Sequence, residues 1–438
     1  MTSRELSPGE RWYWIIDQLS TLNVCARVRI TGEVSAQVLR SALGALQDRH
    51  PLLRTAIADT APGTPGDGPR FVPADRPVPL REVVRTEEDE ARWASEVDGH
   101  ELTDAIDWRS GPLARAVLIS GPGQTHDLIL TVPHCIADGT TALSLLRQWV
   151  RLAAAPSGPG AGAVERGPLP EPFEALFPER DVERAADAEG ATDDAGEVGR
   201  LEPEQFVPFA RRRTRMLHRS IGIDALDGLA RACKREGATL HGLLAAALAS
   251  AVARDAKAES PARFAVGSPV SLREELRRPV SEDEAGCFVS ALHSVVGYQP
   301  DDLWSMARFI KEDIPARKQR GEQYGVFDLL ARQGPSSVAD SEPFIQYIDE
   351  HGPFNFFVSN VGRFEFPAGL GGWQLSQAQF VGGISVVGYF GSSVTTSHRQ
   401  LSWNFTYIEG AVSCERAERI VDDCIRTVLS AGEERTVE

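Results

Sequence analysis

The sequence is short of several things, and each shortage excludes a class of protein. Cysteine occurs six times in 438 residues, always singly, at Cys25, Cys135, Cys233, Cys287, Cys414 and Cys424. With no C-x-x-C pair there is neither a disulfide framework nor a zinc ribbon to read. Lysine occurs only at Lys234, Lys257, Lys311 and Lys318, so arginine carries nearly all the positive charge. Positive charge is itself in deficit, 46 basic against 62 acidic residues for a net charge of −16. That field repels phosphates and excludes whole-chain attraction to nucleic acid or anionic lipid. The longest apolar run, Leu240 to Val252, has the length of a core helix and not of a membrane span. The opening MTSRELSPGERWYW lacks the basic-then-apolar character of an export signal, so a reducing cytoplasm is the expected setting.

Common catalytic signatures are missing too. There is no phosphate loop, and Gly158, Gly160 and Gly162 lie without a strand before them or a helix after them. Ser385, in GGISVVG, lacks the second glycine of a nucleophile elbow. What is present is ordinary globular material, 42% apolar and long enough for two cores.

The composition changes abruptly between residues 151 and 200, where eleven acidic residues stand against five arginines among small residues and proline. Such a stretch buries too little apolar surface to offset ordering, and reads as a partly disordered linker with FEALF (Phe173 to Phe177) as a docking point. It separates residues 1–150 from residues 201–438. In the first half, Arg27 to Ile30 and Leu128 to Val132 read as strands, and Val34 to Arg49 and Thr140 to Leu152 as helices. In the second, Met216 to Ile223 reads as a strand, Asp224 as the cap of a helix stopped at Gly237, and Thr239 as the next cap. RFAVGSPV, CFVSALHSVV, FNFFVSNV, ISVVGYF and LSWNFTYI read as further strands, and Cys414 to Leu429 as a final helix. Strands and helices mixed in both halves predict an α/β (α+β) protein of two sandwiches.

One segment stands apart. LILTVPHCIADGTTALSLL, Leu128 to Leu146, runs from a buried-type strand into His134, then Asp138 and Gly139, then an amphipathic helix. A histidine at a strand end suits general base work, because its ordinary pKa near 6.5 lies close to operating pH. Asp138 would fix the loop, and Gly139 allows close backbone approach or a left-handed turn. The plainer alternatives are a hydrogen-bonded loop histidine, or two metal ligands at i, i+4 for which no third lies nearby. Cys135 beside His134 would point the opposite way, as an inert core thiol. Trp12, Tyr13 and Trp14 read as a helix packing into the core and not as a ligand platform.

The H-x-x-x-D-G pattern at a strand end resembles the signature of the condensation-domain and chloramphenicol-acetyltransferase superfamily, and further collinear segments share the resemblance. LSPGERWYW (Leu6 to Trp14) is similar to the opening helix, DRHPLLRT (Asp48 to Thr55) to H-x-x-L-R-T, and GPLARAVLI (Gly111 to Ile119) to the P-L-x-R strand. VGSPVSLR (Val266 to Arg273), GCFVSALHS (Gly286 to Ser294) and FFVSNVG (Phe356 to Gly362) resemble later landmarks. The resemblance implies two acetyltransferase-like sandwiches in a V with a tunnel at their interface. An acyl thioester, on coenzyme A or an acyl carrier protein, would enter from one side and an acceptor from the other, with no cofactor and no metal.

Carried over residue by residue, it makes His134 the base that deprotonates or orients the acceptor, Asp138 a structural carboxylate and Arg273 its partner. Asn360, with Ser359, would donate to the oxyanion. Arg211, Arg212, Arg213 and Arg215 form a basic run that would meet donor phosphates, or else a solvated strand edge. Two departures, Pro133 in place of a first histidine and SNVGRFEF in place of D-F-G-W-G, point from amide-forming domains toward stand-alone, polyketide-associated O-acyltransferases with an alcohol acceptor. A free-standing amide-forming condensation enzyme and a non-catalytic carrier-binding member are the alternatives.

Overall fold

Alternation along the strands decides which faces are covered. The computed structural model describes residues 3–60, 68–155, 167–180 and 197–433. The first half supplies β1 (Arg4–Glu5), β2 (Asn23–Thr31), β3 (Thr55–Thr60), β4 (Gly68–Pro73), β5 (Leu80–Val84), β6 (Arg115–Ser120) and β7 (Thr125–Pro133). The second supplies β8 (Thr214–Ile221), β9 (Arg263–Ser271), β10 (Val289–Gly297), β11 (Phe356–Arg363), β12 (Gly369–Leu370), β13 (Trp373–Gly382), β14 (Phe390–Ser397) and β15 (Gln400–Ile408). The helices of the first half are α1 (Pro8–Leu19), α2 (Ala36–Arg49), α3 (Arg92–Glu96) and α4 (Gly139–Ala154). Those of the second are α5 (Ile223–Arg235), α6 (Leu240–Asp255), α7 (Leu303–Gln319), α8 (Gly325–Gln333), α9 (Glu342–His351) and α10 (Cys414–Gly432).

Local chemistry explains the element ends. Ser7 and Glu10 form a reciprocal capping box at the start of α1, and Thr239 accepts from the Gly242 N–H at the start of α6. Helix α5 begins earlier than expected: Gly222 occupies the cap, and Asp224 lies in the first turn, where its charge favours the helix N-terminus. Strand β7 is an unbroken apolar run because both its faces are covered. Leu128, Leu130 and Val132 meet the core under α2 and α4, while Ile129 turns to a second cluster with Trp93 and Val97.

The two six-stranded sheets run in the orders β12–β13–β2–β7–β6–β5 and β10–β9–β11–β14–β15–β8, with β1–β4–β3 as a small third sheet. The first sheet is therefore not made by the first half alone. After β11 the chain leaves the second sheet, lays β13 antiparallel on β2 with Phe380 opposite Ala26, and returns as β14. The sheets do not follow a division at residue 200, because β12 and β13 complete the edge of the other half. The linker expectation is also altered where it can be followed. Residues 151–154 finish α4, and residues 156–166 and 181–196 lie outside the described residues. Between them, residues 167–180 form a strap in which Phe173 and Leu176 are buried against Leu272, Phe288 and Phe327. FEALF is thus the docking point that its apolar residues predict.

Candidate active site

Pro133 ends β7 opposite Asn23, and the next residue is tied down by its backbone: the His134 N–H donates to the Leu22 carbonyl at 3.0 Å. Asp138 caps α4, accepting from the Thr141 N–H at 2.7 Å through Oδ1 and from the Phe288 N–H at 2.9 Å through Oδ2. Arg273 completes this carboxylate's shell. Its Nη2 lies 3.3 Å from Asp138 Oδ1 and donates to Thr141 Oγ1 at 2.6 Å, while Nη1 donates to the Ser281 carbonyl at 3.0 Å. The guanidinium stacks on the Phe288 ring, 4.4 Å from its centroid. Both charges are buried, and their pairing holds the loop against the second half. Gly139 serves close approach and not a left-handed turn: a Cβ there would stand 2.5 Å from the Phe380 ring of β13.

His134 itself is only partly covered and opens onto a cavity of about 1020 Å³ between the two halves. Apolar side chains dominate the wall, among them Leu22, Val24, Val326, Phe357 and Phe380. Burial holds the imidazole pKa below its ordinary value, against the opposing pull of the His134 carbonyl, the Asp138 charge and the Ala137 carbonyl. A neutral ring at neutral pH follows, which is the form a general base needs. Tyr13 lies flat on it, ring centroids 4.5 Å apart and planes 2° from parallel, and Cys287 Sγ lies 3.5 Å from Nδ1. Burial pushes the Cys287 thiol well above its ordinary pKa, so it is not a thiolate.

Residues 6–153 match the profile of the Condensation domain family, and residues 225–381 match that of the phthiocerol/phthiodiolone dimycocerosyl transferase C-terminus. The first half of the chain is thus similar to condensation domains and the second to this transferase C-terminus. Both likenesses support a condensation or acyl-transfer role in natural-product synthesis. Among curated relatives, phosphinothricin tripeptide synthetase PhsC of Streptomyces viridochromogenes is 33% identical over 166 residues, 36% of this chain and 15% of that protein. The chain thus spans a small part of such relatives. In fold it is similar to the first condensation domain of the calcium-dependent antibiotic synthetase, with a TM-score of 0.72, 17% identity, and 99% and 97% of the two chains covered. It is also similar to polyketide synthase associated protein 5 of Mycobacterium tuberculosis, at 0.66 and 17%, covering 99% and 98%.

This condensation-fold site gathers some of the predicted residues and leaves others out. His134, Asp138, Gly139 and Arg273 converge as expected. Ser359 lines the cavity, but Asn360 does not, because successive strand residues point to opposite faces. Asn360 Oδ1 instead accepts from the Gly362 N–H at 2.8 Å and closes a turn. The arginine run lies apart from the His134 cavity. Arg212 is buried in a two-pronged pair with Asp349, 2.9 Å on each side, and Arg215 pairs with Asp98 and Glu409. Arg211 and Arg213 are exposed, and none of the four lines the His134 cavity. Alternation along residues 211–215 sends neighbouring guanidiniums to opposite sides. Cys135 points into the core as expected. The reading of the opening aromatics is corrected for Tyr13, which faces the site while Trp14 packs inward. The 3.6-residue helical period that separates Tyr13 from Trp14 was the available signal. Cys287 carried none.

No single helix among the described residues is long and apolar enough to cross a membrane.

Proposed function

We propose that this chain moves an acyl group from a thioester, on coenzyme A or an acyl carrier protein, to a hydroxyl of a small-molecule or polyketide acceptor. The observation that carries the reading is His134, kept neutral by burial and opening onto a largely apolar cavity between two sheets. The His134 imidazole takes the acceptor's hydroxyl proton as its oxygen attacks the thioester carbonyl. Collapse of the tetrahedral intermediate breaks the C–S bond, and the imidazolium returns the proton to the departing sulfur. Ser359 and Ser393 line the same cavity, and their hydroxyls would donate to the oxyanion, the role first read for Asn360. The reaction needs no resident cofactor or metal and no acyl-enzyme, so both substrates bind together.

Thiol release from acyl-CoA and acyl-pantetheine thioesters, with pooled alcohols or pooled amines as acceptors, tests this. Acceptor-dependent release with alcohols is expected, and His134→Ala is expected to lower it by about 10²–10⁴-fold. Equal rates in the two proteins remove His134 from the chemistry, and release with amines alone replaces ester formation by amide formation.

A further inference from the structure

Two side chains packed behind His134 touch no bond that changes in acyl transfer. Tyr13 reaches the imidazole from α1 and Cys287 from the segment before β10. The two groups hold the ring from two sides, Tyr13 against its face and Cys287 at Nδ1. Helix α1 is fixed in turn from the strap, where Glu174 Oε1 accepts from the Gly9 N–H at 2.7 Å. Asp138 is the remaining titratable group whose charge acts on the imidazole, and Glu174 acts on both Tyr13 and Cys287.

A histidine χ2 angle is soft and broadly distributed, so a strand-end imidazole does not hold its plane unaided. A tilted plane misdirects the lone pair that must meet the acceptor proton. We propose that Tyr13, with Cys287 at Nδ1, is a positioning residue that fixes the imidazole plane of His134 and covers it from water. The inference rests on His134 acting as base. It makes α1, read from the sequence as core packing, part of the catalytic frame.

The test compares Tyr13→Phe, Tyr13→Leu and His134→Ala in the full chain with the thiol-release assay. Tyr13→Leu is expected to lower kcat by about 10–100-fold with KM held within about 3-fold. Loss of the cover also moves the acidic limb of kcat/KM upward by about half a pH unit, toward the ordinary histidine value. Tyr13→Phe keeps the ring and is expected to retain at least about a third of kcat. An unchanged kcat and acidic limb in Tyr13→Leu, while His134→Ala is inactive, overturns the inference alone. Full activity in His134→Ala overturns the base reading and the inference with it. A nitrogen-15 titration of the His134 ring in wild type and Tyr13→Phe serves should Tyr13→Leu not fold. One neutral tautomer, with the proton on Nδ1, is expected, and a tautomer mixture overturns the inference.

Discussion

The second half is built on α6, where every residue from Gly242 to Ala253 is buried and none is charged. The outer face of the first sheet is different. There Arg27 and Arg29 of β2 are buried around Asp127 of β7, with Arg27 Nε 2.9 Å from Oδ1 and Arg29 Nη2 3.1 Å from Oδ2. Arg27 also donates to Gln377 Oε1 at 2.8 Å and stacks over Trp93 at 4.5 Å. The ions stand where β13 crosses over from the other half, and the apolar helix where the chain packs on itself. An apolar face accepts many registers, whereas a buried ion pair left unmatched costs several kcal/mol. The difference teaches that the first sheet carries buried charge at its crossover, whereas the helix covering the second presents an uncharged surface from Gly242 to Ala253.

Removing the shared carboxylate breaks that comparison most severely. Asp127→Ala leaves the buried Arg27 without a carboxylate and Arg29 with Glu90 alone, and is expected to cost about 4 kcal/mol in denaturant unfolding. Leu248→Ala, a cavity in α6, is expected to cost about 3 kcal/mol, and the reverse order would refute the contrast. At the junction of the halves, Arg273→Ala leaves Asp138 buried with only its N–H donors. A loss of about 3 kcal/mol is expected in the same experiment, with acyl transfer falling as the His134 loop loosens.

Acid sharpens the comparison with a smaller net effect. Burial lowers His241 of α6 and His293 of β10 to about 4, and raises Asp17 of α1 to about 6. Unfolded histidines bind protons below about pH 6.5, so the second half loses stability as pH falls from 6.5 to 4, by about 3 kcal/mol for His241. Folded Asp17 binds its proton at higher pH than the unfolded carboxyl does, so the first half gains over about pH 6 to 4. Stability followed by unfolding across this window is expected to fall, and to fall more steeply in Asp17→Asn. A shallower loss in that variant would contradict the sign.

Much of the site was legible because it is local. His134, Asp138 and Gly139 lie within six residues between a strand and a helix, and the cap at Asp138 is a property of that short segment. Asp138 with Arg273 was legible only through family resemblance, since no periodicity links residues 135 positions apart. Adjacent arginines look like one patch in sequence, yet Arg212 turns inward and Arg211 outward. Asn360 likewise lies outside the cavity, one residue from the cavity-facing Ser359.

By itself the sequence determined the α/β class, most element ends, the apolar helix α6 and the loop from His134 to Gly139, all of which follow from hydrogen bonding and burial within a few turns of chain. The tertiary structure alone decided that β13 completes the first sheet, that the strap reaches α1, and that Tyr13 and Cys287 meet His134. Those contacts join segments more than a hundred residues apart. Their partners are selected by which faces remain unburied after the local elements form, and no local pattern encodes that choice.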